Sequence, residues 1–439
     1  MSDSLLPDLT ASGSPNNGHR STNDGLQKDD VESHHGGFFR IDCRLWRKVP
    51  DWGINSAAAY LVLASGTGHS NRGTSWSTQS VMTYAGMGWE RAKESIECLI
   101  RDGFIQPAAS HTKGKPRYEI ASFDEYLTKD NPSFKPGRYD LALLSEIQSG
   151  KQPIGKRKSS RAESLEDEGW LWRDLNREFR LPADIPQDST CYYIWLPNTI
   201  VTGTSRGEES PLHRLRATGR WELLSLFVDL YAAQNLRDDG GISPQVMAQP
   251  FERRELGRQR GYTVWGFKPT EILCRWGAPF EAAIWHLGTK AERSQRFHNS
   301  IDLLKRLGLL SFVPHIFENR GYAAEPIHPF GVGGIGEVPI EDEIGDAAFD
   351  AACSLTSLRD RKEAELAGFK YFCPISNTKP FAQMLGIARL TYRPHTRRTG
   401  AWMAKLQESG PALIESFNEL VSKAQATAID KRLGLLKTA

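Results

Sequence analysis

The sequence predicts an α+β protein, mostly helical, in which a helix is twice followed directly by a β-hairpin. Three observations predict it. Residues 89–102 and 294–307 carry apolar side chains at spacings of three and four, the period of a helix buried along one side. Each stretch ends at a glycine, Gly103 and Gly308, and each is followed at once by an apolar run and a turn. The composition, 39% apolar and 25% charged over 439 residues, is that of a globular chain long enough for several domains, each burying its own core.

Taken in order, residues 1–36 are rich in Ser, Asn, Asp and Gly and lack apolar periodicity. Nothing there offsets the entropy of ordering, so a disordered tail is expected, with His34 and His35 solvated rather than metal-bound. A first domain, 37–128, opens with a strand at 38–41 and an Ala- and Leu-rich helix over 55–65 capped by Asn55 or Ser56. After a glycine-rich loop at 66–73, Ser77 caps a short helix over 78–85 and Gly86-Met87-Gly88 turns the chain. The next helix, 89–102, places Ala92, Ile96, Leu99 and Ile100 inward, with Glu90, Arg91, Lys93, Glu94, Glu97 and Arg101 outward. Phe104-Ile105 and Arg117-Tyr118-Glu119-Ile120 pair as a hairpin across the basic turn His111-Thr112-Lys113-Gly114-Lys115-Pro116.

Residues 129–168 are rich in Pro, Ser and charge, with Lys156-Arg157-Lys158-Ser159-Ser160-Arg161 in their middle, and are expected to be a basic linker able to graze phosphates. A second domain, 169–335, starts with a strand at 191–196 and a helix over 220–235 whose Leu223, Leu224, Phe227, Leu230 and Tyr231 face inward. Asp238-Asp239-Gly240-Gly241 is a turn, Ser243 the cap of a further helix, and 250–279 a long insertion holding the basic loop FERRELGRQRGY. The helix over 294–307 turns Phe297, Ile301, Leu304 and Leu307 to one side, and 309–313 pairs with 324–327 around Asn319-Arg320-Gly321. A helical C-terminal domain, 336–439, is expected to contain helices near 347–367, 380–390 and 411–436.

The 55 basic and 53 acidic residues leave a net charge of +2, so affinity for nucleic acid has to come from local basic surfaces. Cys43, Cys98, Cys191, Cys274, Cys353 and Cys373 lie far apart, without a C-x-x-C pair or a Cys/His cluster, and are expected to be reduced buried thiols. No stretch approaches the roughly 20 apolar residues of a membrane span, and the N-terminus lacks a signal-peptide pattern, which gives a cytoplasmic expectation. Gly331-Val332-Gly333-Gly334-Ile335-Gly336 matches G-x-G-x-x-G, but Pro329 and Pro339 displace the flanking strand and helix that a dinucleotide needs. G-x-x-x-x-G-K-[ST], G-x-S-x-G and H-E-x-x-H are missing, and two of the scattered carboxylates Asp229, Asp238 and Asp239 are explained by the Gly-Gly turn they border. No cofactor, metal or enzymatic activity is expected.

Residues 77–85, Gly86-Met87-Gly88 and Leu99-Ile100-Arg101-Asp102-Gly103-Phe104-Ile105 resemble the winged helix-turn-helix pattern of replication initiators and regulators in plasmids, phages and integrative elements. The join Leu304-Lys305-Arg306-Leu307-Gly308-Leu309-Leu310 is similar to the first, so the second domain is a further candidate for the same unit. The resemblance implies a brace helix, a second helix in the major groove and a hairpin tip against phosphates. It covers a small part of the chain and informs fold more than process. Sequence-specific binding of double-stranded DNA follows as the expectation, in replication initiation of a mobile element. Transcriptional regulation and an adaptor gripping protein partners are the alternatives, and a second copy or replication proteins are the further partners.

The candidate DNA-binding residues are Arg91 and Lys93 on the first reading helix and Lys113, Lys115 and Arg117 on its hairpin. Lys290, Arg293, Arg296, Lys305 and Arg306 form the more basic surface of the second unit. Arg393, Arg397 and Arg398 lie with His395 in LTYRPHTRRTG and with Arg389 just before it, a loop that can hold a phosphate at a helix N-terminus or pair with Glu341, Asp342 and Glu343. Tyr262 and Trp265 can stack on unpaired bases or pack in a core. The family commonly starts its reading helix with Ser or Thr and basic residues. Here Trp89, Glu90 and Glu94 stand there instead, which favours a protein partner for the first unit.

Overall fold

The computed structural model describes residues 37–49, 53–68, 70–128, 138–148, 151–167, 171–173, 178–180, 193–204, 209–236, 240–274, 289–318, 326–331, 338–378, 382–393 and 397–432. The expected tail, the turn Asn319-Arg320-Gly321, most of the G-x-G-x-x-G run, Cys191 and His395 lie outside the described residues.

The chain begins with β1 (Phe38–Asp42), α1 (Cys43–Trp46), α2 (Ile54–Ser65), β2 (Gly73–Thr74), α3 (Thr78–Ala85), α4 (Trp89–Arg101), β3 (Ile105–Pro107), β4 (Tyr118–Ile120) and α5 (Phe123–Thr128). β4 lies between β2 and β3, so the hairpin after α4 recruits the short strand that precedes α3. Ser77 accepts from the Gln79 amide at 3.2 Å and Ser80 accepts from the Ser77 amide, a reciprocal cap that fixes where α3 starts. Gly86 ends α3 at φ 64°, a left-handed conformation that a residue without a side chain adopts freely. α4 then buries Ala92, Ser95, Ile96 and Leu99.

The expected linker is instead a small folded layer. α6 (Arg138–Gln148), α7 (Lys156–Asp167), β5 (Trp172–Arg173) and β6 (Phe179–Arg180) surround Leu143, Leu144, Ile147, Ala162, Leu165, Leu171 and Phe179. The apolar residues recur at three and four within a polar composition, enough for one buried stripe. The basic run is held on α7, where Lys158 pairs with Glu146 at 2.6 Å and Arg161 with Asp140 at 2.7 Å.

Next come β7 (Tyr193–Pro197), α8 (Thr199–Thr202), α9 (Pro211–Ala217), α10 (Trp221–Ala232), β8 (Gln234–Asn235) and β9 (Gly241–Ile242). β10 (Met247–Gln259), β11 (Tyr262–Pro269), β12 (Leu273–Cys274), α11 (Lys290–Arg306), β13 (Leu310–Phe317) and β14 (Pro326–Pro329) follow. The chain ends with α12 (Pro339–Leu355), α13 (Leu358–Leu366), β15 (Tyr371–Ser376), β16 (Gln383–Leu390) and α14 (Arg397–Arg432). Among the described residues seven strands form one antiparallel sheet in the order β14-β13-β16-β10-β11-β15, with β12 on β10.

Several expectations are corrected here. The basic loop FERRELGRQRGY is the β10–β11 hairpin, and Ser243 starts a turn into β10 rather than a helix. Residues 383–390 form β16 and not a helix. It is buried on both faces between β13 and β10, which erases the alternation that marks a half-exposed strand. Residues 347–367 are two helices, parted where Thr356 adopts an extended conformation. The C-terminal residues are not a separate helical domain, because β15 and β16 complete the sheet while α12 and α14 cover it. β13 does pair with β14 after α11, but its other edge is taken by β16, so this hairpin is no free-standing wing.

β7 also pairs with β1, and one continuous apolar core joins residues between 39 and 126 to residues between 194 and 312. No helix among the described residues is long and apolar enough to cross a membrane.

Candidate nucleic-acid interface

The sequence puts three acids and three bases on α4, and the structure pairs some of them. Lys93 lies 3.8 Å from Glu97 and Arg101 3.0 Å from Asp102, while Arg91 and Glu90 face solvent. Trp89, the first residue of the helix, is 51% exposed. This surface carries no net attraction for a polyanion.

Lys113, Lys115 and Arg117 project from the turn between β3 and β4, all exposed. The turn is ordered from within: His111 Nδ1 accepts from the Arg117 amide at 3.1 Å, and the Lys115 amide donates to Thr112 Oγ1 at 3.0 Å. These three cations match the hairpin tip expected from the sequence.

α11 has a different balance, five basic residues against two acidic ones. One acid is absorbed by the cap: Glu292 Oε2 accepts from the Thr289 amide at 2.7 Å, and the Glu292 amide donates to Thr289 Oγ1. That backbone bond, then the hydroxyl, then nearby Arg296 hold the Glu292 carboxyl below its usual range. Phe297, Ser300, Ile301 and Leu304 are buried, which turns Gln295, Asn299, Lys305 and Arg306 to solvent and leaves Arg296 half-buried. Gln295 Nε2 donates to Asn299 Oδ1 at 2.9 Å, aligning two amides one turn apart. Lys305 lies 5.7 Å from the centre of the Phe312 ring on β13. The side chains of Lys290 and Arg293 lie outside the described residues. Gln295 and Asn299 are missing from the basic-residue expectation; their spacing of four on the outward face was the available signal.

Two arginines of the third cluster, Arg389 and Arg393, are turned into the protein. Arg389 is fully buried, with Nη1 donating to both Glu341 carboxylate oxygens at 2.6 and 2.8 Å and its guanidinium 4.5 Å from the Trp402 ring. Burial lowers the Arg389 pKa and raises that of Glu341, each against the pull of the other. Arg393 donates to the Gly240 carbonyl at 2.6 Å, and its burial lowers the pKa to about 10. Its charge therefore faces inward, away from the surface that a phosphate would reach. Arg397 and Arg398 start α14, with side chains outside the described residues.

The β10–β11 arginines are similarly occupied. Arg253 lies 4.5 Å from the Trp265 ring and donates to the Ala382 carbonyl, Arg254 pairs with Glu363, and Arg258 pairs with Glu255. Tyr262 and Trp265 are half-buried and pack against the core under α12 and α14. Among the described residues no group of three His, Cys, Asp or Glu side chains is placed to hold a metal ion. Burial raises the Cys43 thiol to about 11 and Cys274 to about 12, far from the thiolate needed for nucleophilic chemistry.

The fold and surfaces therefore define a mixed α/β protein, with a curled antiparallel sheet and two helix-then-hairpin elements that present solvent-facing cations. The chain matches no family model, no curated protein and no solved structure.

Proposed function

We propose that this chain binds double-stranded DNA without catalysing a reaction, using α11 as its principal groove-entering helix. The observation that carries the proposal is the outward face of α11. That face carries the amides Gln295 and Asn299, then Asp302, then the cations Lys305 and Arg306, while Phe297, Ile301 and Leu304 anchor the opposite face. Carboxamides are suited to adenine edges and cations to phosphates, so one rigid helix combines readout with anchoring. On this reading α2, α3 and α4 with the β3–β4 hairpin are a winged helix-turn-helix unit, whose Lys113, Lys115 and Arg117 touch the backbone.

The test is selection of duplexes from a randomised library by the full chain, followed by fluorescence anisotropy over a salt series. Contact with several phosphates gives a steep linear fall of log affinity with log salt. Replacing Lys305 and Arg306 together by Glu lowers affinity by at least about tenfold and flattens the salt slope, with little change in melting temperature. Salt-independent binding, or a variant that binds as well as the parent, removes α11 from the interface. The resemblance extends the proposal to replication initiation of a mobile element: a plasmid carrying the selected duplex should then depend on this chain to persist.

A protein partner for α4 is the second reading, favoured by its balanced charge and exposed Trp89. A selected duplex whose affinity ignores α4 substitutions supports it.

A further inference from the structure

α9 is a helix of seven residues, yet it touches the ends of two others. On one side it closes α3. Its cap, Ser210, donates from Oγ to the Tyr84 carbonyl at 3.1 Å; Arg216 donates from Nε to the Ala85 carbonyl and from Nη2 to the Gly86 carbonyl at 2.6 Å. The His213 ring occupies the space that a β-carbon on Gly86 would need. The last carbonyls of a helix have no partner within it, so these bonds satisfy the groups that lead into the turn before α4.

On the other side α9 closes α11. Two residues along a helix are about 200° apart in rotation, so Arg214 points away from Arg216. Its Nη1 donates to the Leu307 carbonyl at 2.8 Å, where α11 ends, and its Nη2 donates to the Tyr392 hydroxyl at 2.9 Å. Charged donors on carbonyls make strong and directional bonds. The Arg216 pKa is lowered by burial and then by the neighbouring Arg91. Its charge is thus set on backbone oxygens at the foot of α4.

We propose that Arg214 and Arg216 are positioning residues that fix the unit of α3, α4 and the β3–β4 hairpin against α11 at one separation and angle, so that the chain accepts a single spacing between the part of a duplex touched by the hairpin and the part entered by α11. The inference rests on the duplex binding proposed above. One inserted base pair shifts the far half of a target by about 3.4 Å and turns it by about 35°. The two ends are held from one short helix by bonds of 2.6 and 2.8 Å, and a relative shift of that size would break at least one of them.

The test uses the full chain, its selected duplex, and versions of that duplex with one base pair inserted or removed at each position. Expected is a bipartite target in which one inserted base pair between the halves lowers affinity by at least about tenfold, comparable to a lost base contact. Arg216→Ala frees the end of α3 and brings the two spacings within about twofold of each other, while Arg216→Lys, which keeps the charge on a single donor nitrogen, falls between. If Arg216→Ala does not fold, Arg216→Lys supplies the comparison. A contiguous target without halves, or a parent chain indifferent to the insertion, overturns the coupling and leaves duplex binding standing. An Arg216→Ala chain as strict as its parent overturns the role of α9. A parent chain that selects no duplex removes the functional reading, and this inference with it.

Discussion

What a guanidinium meets decides what an arginine does here. Arg389 and Lys305 are both cations in apparently basic stretches, yet one is sealed against Glu341 and the other faces solvent. Sequence allowed both outcomes for the RLTYRPHTRRTG cluster that starts at Arg389, since the partner Glu341 lies 48 positions away and only folding brings it near. Removing one member of a buried pair strands the other, so Glu341→Ala is expected to lose about 3–5 kcal/mol, read from the urea midpoint. Glu341→Leu with Arg389→Met recovers most of that loss; a double variant as unstable as the single one would show that Arg389 matters for something besides its charge. Asp229 tests burial alone. Its carboxyl is raised to about 8 by desolvation, against a lowering pull from Arg47, and Oδ2 finds no hydrogen-bond partner among the described residues. In the unfolded chain the group titrates near 3.9. Between pH about 4 and about 8 the folded chain therefore keeps a proton that the unfolded chain releases, so stability from this residue falls as pH rises through that window and is level above it. Asp229→Asn should flatten melting temperature against pH across that interval relative to the parent, and parallel curves for the two would contradict the assignment.

The turn between α3 and α4 shows what an element-scale reading captures. Ser77, Gly86 and the three-four spacing of α4 were legible because each is a local rule: a cap, a left-handed stop, one buried side. The same rules exposed α2, α10 and α11 and a hairpin after α11, although the residues that pair are 315–317 with 326–329 rather than 309–313 with 324–327. They failed at β16, buried on both faces, and at α6 and α7, whose short apolar stripe is diluted by charge. They also missed α9 as a clamp, since Arg216 reaches carbonyls 130 residues earlier in the chain and no local pattern encodes that. The exposed hairpin cations Lys113, Lys115 and Arg117 were visible from sequence because a turn tip has little else to touch. Gly86 carries two constraints at once, a φ of 64° and the His213 ring against it. Gly86→Ala is expected to lose at least about 1–2 kcal/mol from the left-handed strain alone, with more from the collision. His213→Ala in that background should restore the steric part and leave the strain, a coupling that a double-mutant cycle on denaturant midpoints resolves.

At the scale of the molecule, the N-terminal helix-then-hairpin unit has the outline of a portable domain but not its independence. β1 finds its strand partner in β7, five residues in antiparallel register from Phe38 opposite Pro197 to Asp42 opposite Tyr193. Phe39 and Ile41 lie in the same apolar core as Ile194, Leu196, Leu223 and Phe227, which belong to later elements. The end of α3 is capped by α9. Excising residues 37–128 would therefore leave an unpaired strand, bare an apolar face of the shared core and release the carbonyls of Ala85 and Gly86. Burial contributes about 25 cal/mol for each Å² of apolar surface, and a small domain has little stability in reserve, so a loss on this scale exceeds what the fragment can bear. The fragment is expected to melt without a cooperative transition and to bind a dye that reports exposed apolar surface, while the chain from residue 37 onward melts cooperatively. A fragment with a sharp, reversible transition near that of the whole chain would make the unit autonomous. The coupling through α9 would then have to act between two bodies that fold separately, rather than within one core.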